Sequence, residues 1–92
     1  MKNSAASIIV WSTQPVPVGE TSSVRVPSSA VVERGQLEIV FVITNQQARL
    51  HLVKTGARFG EQLEVLSGLE AGEVVAIDGA GRLADGQRVE IK

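Results

Sequence analysis

Between Pro27 and Gly86 no apolar stretch runs longer than a strand before a glycine or a polar turn interrupts it. Val31-Val32 leads to Glu33-Arg34-Gly35-Gln36, Val40-Phe41-Val42 to Asn45-Gln46-Gln47, and Val53-Lys54-Thr55 to Gly56. Ser67-Gly68-Leu69-Glu70-Ala71-Gly72, Asp78-Gly79-Ala80-Gly81 and Asp85-Gly86 follow. Turn signals about every 8–12 residues between short β-branched runs indicate a small antiparallel β architecture. No stretch sustains the 3.6-residue apolar period of a helix beyond a single turn, which Leu69 or Gly81-Arg82-Leu83-Ala84 could form. The expected fold is all-β, a small β-roll or barrel of about six to seven short, mostly antiparallel strands.

The strongest strand is Leu37–Thr44. Leu37, Ile39, Phe41 and Ile43 share one face, and Glu38, Val40, Val42 and Thr44 the other. Because the second face is also partly apolar, this strand is expected at the centre, covered on both sides. Asn45-Gln46-Gln47 turns the chain into Ala48–Thr55, where Ala48, Leu50 and Leu52 are expected inward, Arg49 and His51 outward, with Gly56 as the end. Ser22–Val26, Gln62–Leu66, Glu73–Ile77 and Gln87–Ile91 read as further strands. Ile8–Trp11 could be another. Pro15 and Pro17 donate no ladder hydrogen bond, so the segment around them is an edge or a linker. Residues 1–15 are expected to be a flexible or expression-derived start with an edge strand, and residues 16–92 the β domain.

Several function classes are poorly served by this composition. The chain has 92 residues, 9 Lys+Arg and 10 Asp+Glu, interleaved rather than clustered. Nucleic-acid binding by counterion release needs a basic patch, which is missing. The absence of cysteine removes disulfides, thiolate ligands and thiol nucleophiles. The longest uninterrupted apolar run, Ile39–Ile43, is a strand's length and far from a membrane span. No targeting segment is recognised, because Ile8-Ile9-Val10-Trp11 is too short for a signal-peptide core.

The residue types that carry chemistry sit where structure alone accounts for them. His51 is the single histidine, with no cysteine to join it in a zinc set. Glu61, Glu64, Glu70 and Glu73 fall near turns or on strand faces that suit solubility and edge protection. Ser22, Ser23, Ser28 and Ser29 occupy no strand-to-helix elbow. Gly79-Ala80-Gly81 opens no helix that could hold a phosphate. No catalytic residue, metal ligand or cofactor is expected. Gly68 and Gly72 with Leu69 between them read as a tight connection pinned by one buried leucine, either a plain β-turn or a partner-facing loop. Arg58-Phe59-Gly60-Glu61 reads as a loop in which Phe59 is either a contact anchor or a plug closing the barrel.

Five ordered motifs carry a family resemblance. Val26-Pro27-x-x-Ala30-Val31, Val40-Phe41-Val42, Val53-x-x-Gly56, Val65-Leu66-Ser67-Gly68-Leu69-x-x-Gly72-Glu73-x-Val75 and Leu83-x-Asp85-Gly86-x-x-Val89 stand in the right order. Together they resemble the C-terminal part of periplasmic adaptors, the membrane fusion proteins of tripartite efflux pumps serving resistance-nodulation-division transporters. The resemblance runs from about Val16 to Lys92, with Pro15 to Glu20 similar to the segment that hands over from the adaptor's β-barrel domain.

The resemblance implies a membrane-proximal β-roll that docks on the periplasmic face of an inner-membrane transporter. It also implies other adaptor copies as neighbours, and an outer-membrane channel reached through a β-barrel, a lipoyl-like domain and a helical hairpin not found here. The chain is therefore expected to be a piece of a periplasmic, inner-membrane-associated parent. In that family a strand from near the start of the protein completes the domain. Without it an open edge is expected, covered by Ile8–Trp11 folding back or by pairing of two copies into a homodimer. Expected transporter contacts are Arg58, Phe59 and Gly60 in one loop and Gly79, Ala80, Gly81 and Arg82 in another. A small barrel binding nucleic acid or an oligosaccharide is the alternative, and a metal-binding adaptor a third reading.

Overall fold

The computed structural model describes residues 6–13, 15–18 and 21–91. The expected flexible start falls mainly on residues 1–5, outside the described residues, as do Gln14, Gly19, Glu20 and Lys92. The strands are β1 (Ala6–Ser12), β2 (Pro15–Val18), β3 (Thr21–Pro27), β4 (Val32–Arg34), β5 (Leu37–Thr44), β6 (Gln47–Phe59), β7 (Gln62–Ser67), β8 (Val74–Asp78) and β9 (Val89–Ile91). Single 3-10 turns lie at Ser28–Ala30 and Ala80–Arg82.

These nine strands join in one sheet ordered β2-β3-β7-β6-β5-β8-β1-β9, with β4 alongside β5. The fold is all-β, as the turn spacing implies, and the strands beyond the six to seven expected are the short β2 and β4. Every pairing is antiparallel except β1 with β9.

β5 organises the molecule because both of its faces are apolar. Ile39 and Phe41 enter one core with Ile8, Ala48, Ala76, Ala80, Leu83 and Val89. Val40 and Val42 enter a second core with Val24, Val26, Ala30, Val65 and Val75. Around the first core the strands β6, β5, β8, β1 and β9 come back on themselves. Closure is made by a Gln47–Arg88 bridge, with Ala48 N–H donating to Gln87 O (2.8 Å) and Val89 N–H to Gln46 O (2.9 Å). Around the second core β6, β7 and β3 curl the opposite way, over the outside of β5 and β8.

β6 is shared by both curls, which is why it outlasts the expected stop at Gly56. Register shifts between Lys54 and Thr55, and between Thr55 and Arg58, let it bend from one curl into the other. Carboxylates occupy backbone amides at that bend. Glu38 Oε1 accepts from Thr55 N–H (3.2 Å) and Glu38 Oε2 from its hydroxyl (2.8 Å). Glu64 Oε1 accepts from Ala57 N–H at 3.2 Å. A Cβ on Gly56 would come within 2.8 Å of that same Glu64 oxygen, so the residue marks a close approach, not a terminus.

β1 corrects the sequence reading in position. It lies between β8 and β9, not at an edge, and Ile8 is wholly buried there. Folding back is the arrangement observed, by insertion into the sheet. Its trailing Thr13 is buried and fastens the β7–β8 connection. Thr13 N–H donates to Glu73 O (2.9 Å), its hydroxyl stands 2.8 Å from Glu73 O, and its carbonyl accepts from Gly72 N–H (3.1 Å). Thr13→Val keeps the shape and the backbone bonds but removes the hydroxyl shared between Glu70 O and Glu73 O, so stability is expected to fall by about 0.5–1.5 kcal/mol. Urea titration checks this, and an unchanged midpoint contradicts the role.

β2 ends the sheet, and its prolines fall at alternate ladder positions. Pro15 pairs with Val24 and Pro17 with Ser22 in an antiparallel ladder. Neither proline can donate, so these are the positions whose backbone groups point away from β3. The free edge thus presents carbonyls without matching N–H groups, a poor template for a further strand. Replacing both prolines with valine restores the donors. The variant is expected to show an apparent mass rising with concentration in light scattering beyond that of the parent chain, and identical behaviour would contradict the edge-guard role.

Candidate interaction surface

The two expected contact segments lie in different surroundings. Arg58 and Phe59 are the last residues of β6, pairing with Leu63 and Gln62, and Gly60 begins the turn to β7 with φ +63°. They form a hairpin end, not a free loop. Arg58 Nε–H donates to Gly60 O (3.2 Å), bracing the tip. Phe59 closes no barrel. Its ring lies on the surface beneath Arg25, whose guanidinium carbon is 3.8 Å from the ring centroid.

The second segment is the 3-10 turn after β8. Ala80 is 3% exposed and belongs to the first core, which removes it from any contact surface. Gly79 is half-buried, and Gly81 and Arg82 are exposed. The turn is held from the far side by Arg34, whose Nη2 donates to Leu83 O at 3.1 Å. Among the described residues no hydrogen bond joins this turn to the β6–β7 tip.

Other side chains weighed for chemistry are engaged in structure. His51 Nδ1–H donates to Gly68 O at 3.1 Å, tying β6 to the end of β7. Leu69 packs on the second core, as expected, but is half-buried where a buried leucine was expected. Among the described residues no group of three or more His, Cys, Asp or Glu converges as a metal set, and no helix is long and apolar enough to cross a membrane.

One surface was missed. Leu52 was expected inward with Ala48, yet β6 leaves the barrel before reaching it, and it is 57% exposed. Leu37 (55%), Leu66 (54%) and Phe59 (42%) are exposed with it. Ladder register puts all of them on one side of the sheet. Leu52 pairs with Ile39, two residues from Leu37. A Cβ on Gly56, two steps along from Lys54 on that side, would touch Leu66 and Glu64. Arg25 pairs with Glu64, and Phe59 with Gln62. Alternation within Ser22–Val26 carried the signal for Arg25, because Val24 and Val26 point inward.

Among the described residues, this side of the sheet sets exposed apolar side chains beside isolated charges. Comparisons with known proteins place the chain in a family. Residues 23–91 match the family model described as YknX, C-terminal permuted SH3-like domain. Multidrug resistance protein MdtA of Yersinia enterocolitica serotype O:8 / biotype 1B is 34% identical over 71 residues, which are 76% of this chain and 16% of that protein. An NMR structure of a 180-residue piece of SilB from Cupriavidus metallidurans CH34 contains its N-terminal metal-binding site and membrane-proximal domain. It superposes with a TM-score of 0.65 at 28% identity, over 90% of this chain and 43% of that one. Crystalline ZneB from Cupriavidus metallidurans gives 0.62 at 35% identity, over 71% and 19%.

The chain belongs to the family of the YknX C-terminal permuted SH3-like domain. The resemblance to the membrane-proximal domain of efflux-pump membrane fusion proteins holds. The chain spans 16% of the length of the curated relative cited above.

Proposed function

We propose that this chain is the non-catalytic membrane-proximal module of a tripartite efflux-pump adaptor. It docks on the periplasmic face of a resistance-nodulation-division transporter and, with other adaptor copies, helps couple that transporter to an outer-membrane channel through parts of the parent protein. The observation that carries this reading is the superposition on the membrane-proximal domain of SilB over 90% of the chain. The closed barrel and opposed half-barrel fit a rigid coupling piece, because two cores on opposite faces of β5 make its curls move together.

Contacts are assigned to the β6–β7 tip (Arg58, Phe59, Gly60) and to Gly79, Gly81 and Arg82, with the arginines orienting the approach. Reversing charge at Arg58 and Arg82 together is expected to weaken retention of the transporter by about tenfold or more while leaving the fold intact. Retention at the parent level would overturn the assignment. The nucleic-acid alternative loses support from the aromatics. Phe41 is buried, Trp11 packs against the second core and Phe59 lies under Arg25, so no row of rings offers stacking to bases.

A further inference from the structure

Arg25 stands out among the cations of the sheet. Its guanidinium carbon lies over the Phe59 ring, 3.8 Å from the centroid, a cation–π contact that holds the group in place. Its cross-strand neighbour is Glu64, yet Glu64 Oε1 is spent on Ala57 N–H at the β6 bend. The Nε–H of Arg25 is buried with no hydrogen-bond partner. A shielded donor without an acceptor is unfavourable until something supplies one. A guanidinium held over a ring still offers its fork of N–H donors to one shape above others, the two oxygens of a carboxylate.

The surroundings match that chemistry. On the same side of the sheet lie exposed Lys54 and the exposed apolar side chains Leu52, Leu66 and Phe59. Cationic groups interleaved with leucines complement a segment in which acidic and apolar residues alternate. We propose that the β3–β7–β6 face, centred on the Arg25–Phe59 stack and flanked by Leu52, Lys54 and Leu66, binds an acidic, leucine-like segment of a partner protein, with Arg25 taking its carboxylate. This deepens the docking proposed above by giving the chemistry of the partner surface. It also moves the centre of the contact from Arg58 to Arg25.

The test is an NMR titration of the full chain with a short capped peptide in which leucine and glutamate alternate, beside its counterpart with glutamine for glutamate. The acidic peptide is expected to move the Arg25 Nε–H resonance, through engagement of the guanidinium that carries it, and the Leu52 and Leu66 methyls saturably, and to bind about tenfold tighter than the glutamine peptide. Arg25→Gln should abolish that preference. Arg25→Lys, which keeps charge but loses the fork, should reduce it. Unmoved Leu83 and Val89 methyls show that each variant is folded. The inference is overturned if neither peptide moves these resonances, if both bind alike, or if Arg25→Gln keeps the preference. It is also overturned if anionic phosphatidylglycerol vesicles move them and the acidic peptide does not. Transporter retention without peptide selectivity would sink this site and spare the docking role, whereas selectivity without retention would do the reverse.

Discussion

Phe41→Ala is expected to remove most of the stability of this domain. Phe41 is wholly buried, and it sits in the first core among Ile8, Ile39, Ala48, Leu83 and Val89. Truncating a buried phenylalanine costs about 3–5 kcal/mol, through lost transfer energy and the cavity left behind. Small domains have on the order of 5–15 kcal/mol in total, so the variant should be close to unfolding at ambient temperature. Only one other phenylalanine and one tryptophan exist in the chain, and neither can reach the gap because both pack elsewhere. Urea titration should show the midpoint collapsing at an unchanged slope. A loss under about 1 kcal/mol would mean that the barrel core collapses around the gap, against the tight packing argued for it.

Gly68→Ala is expected to be nearly as damaging, and Gly72→Ala supplies its control. Both glycines lie in the connection from β7 to β8 at similar backbone angles, φ +101° and φ +95°. An alanine at either position is strained by about 1–3 kcal/mol. Their surroundings separate them. At Gly72 nothing lies within 4 Å of an added Cβ. At Gly68 the added carbon would be driven into Leu52 O and within 2.9 Å of Val53 Cα, both backbone atoms of β6. Relief requires moving β6 or releasing the Gly68 carbonyl from His51, so the expected loss is about 3 kcal/mol or more. Thermal or chemical unfolding of the two variants side by side reads the difference. Equal losses would show that β6 does not press on the connection.

The elements readable from residues are those where one local signal dominates. β5 announced both its strand and its central place, since Ile39/Phe41 and Val40/Val42 are apolar on alternate sides. The turn into β6 was visible in Asn45-Gln46, which adopt φ +53° and +63°, as a tight two-residue hairpin requires. Pro15 and Pro17 marked an edge. What escaped were features set by distant partners. Gly56 looks like a strand end, and only Glu38 and Glu64 reaching in from neighbouring strands show it to be a bend. Ile8–Trp11 has strand character, but its place between β8 and β9 depends on Thr13 finding the carbonyls of Glu70 and Glu73.

The contact surface divides the same way. Phe59 was singled out because an aromatic beside a turn glycine is conspicuous, and it proves exposed. Its partner Arg25 lies 34 positions earlier in sequence and meets it only because β3 and β7 pair. Ala80 misled for the opposite reason, since small residues flanked by glycine suggest an open loop, whereas its methyl fills the barrel end. Leu52 continues the inward alternation of Ala48 and Leu50 on paper. The barrel ends before that alternation does.

Binding of the isolated chain to a resistance-nodulation-division transporter reconstituted in nanodiscs tests the central claim most directly. The expected result is saturable binding to the transporter's periplasmic side, weakened about tenfold or more by the Arg58 and Arg82 charge reversals. An absence of binding at the highest soluble concentration, with the chain folded, would contradict it.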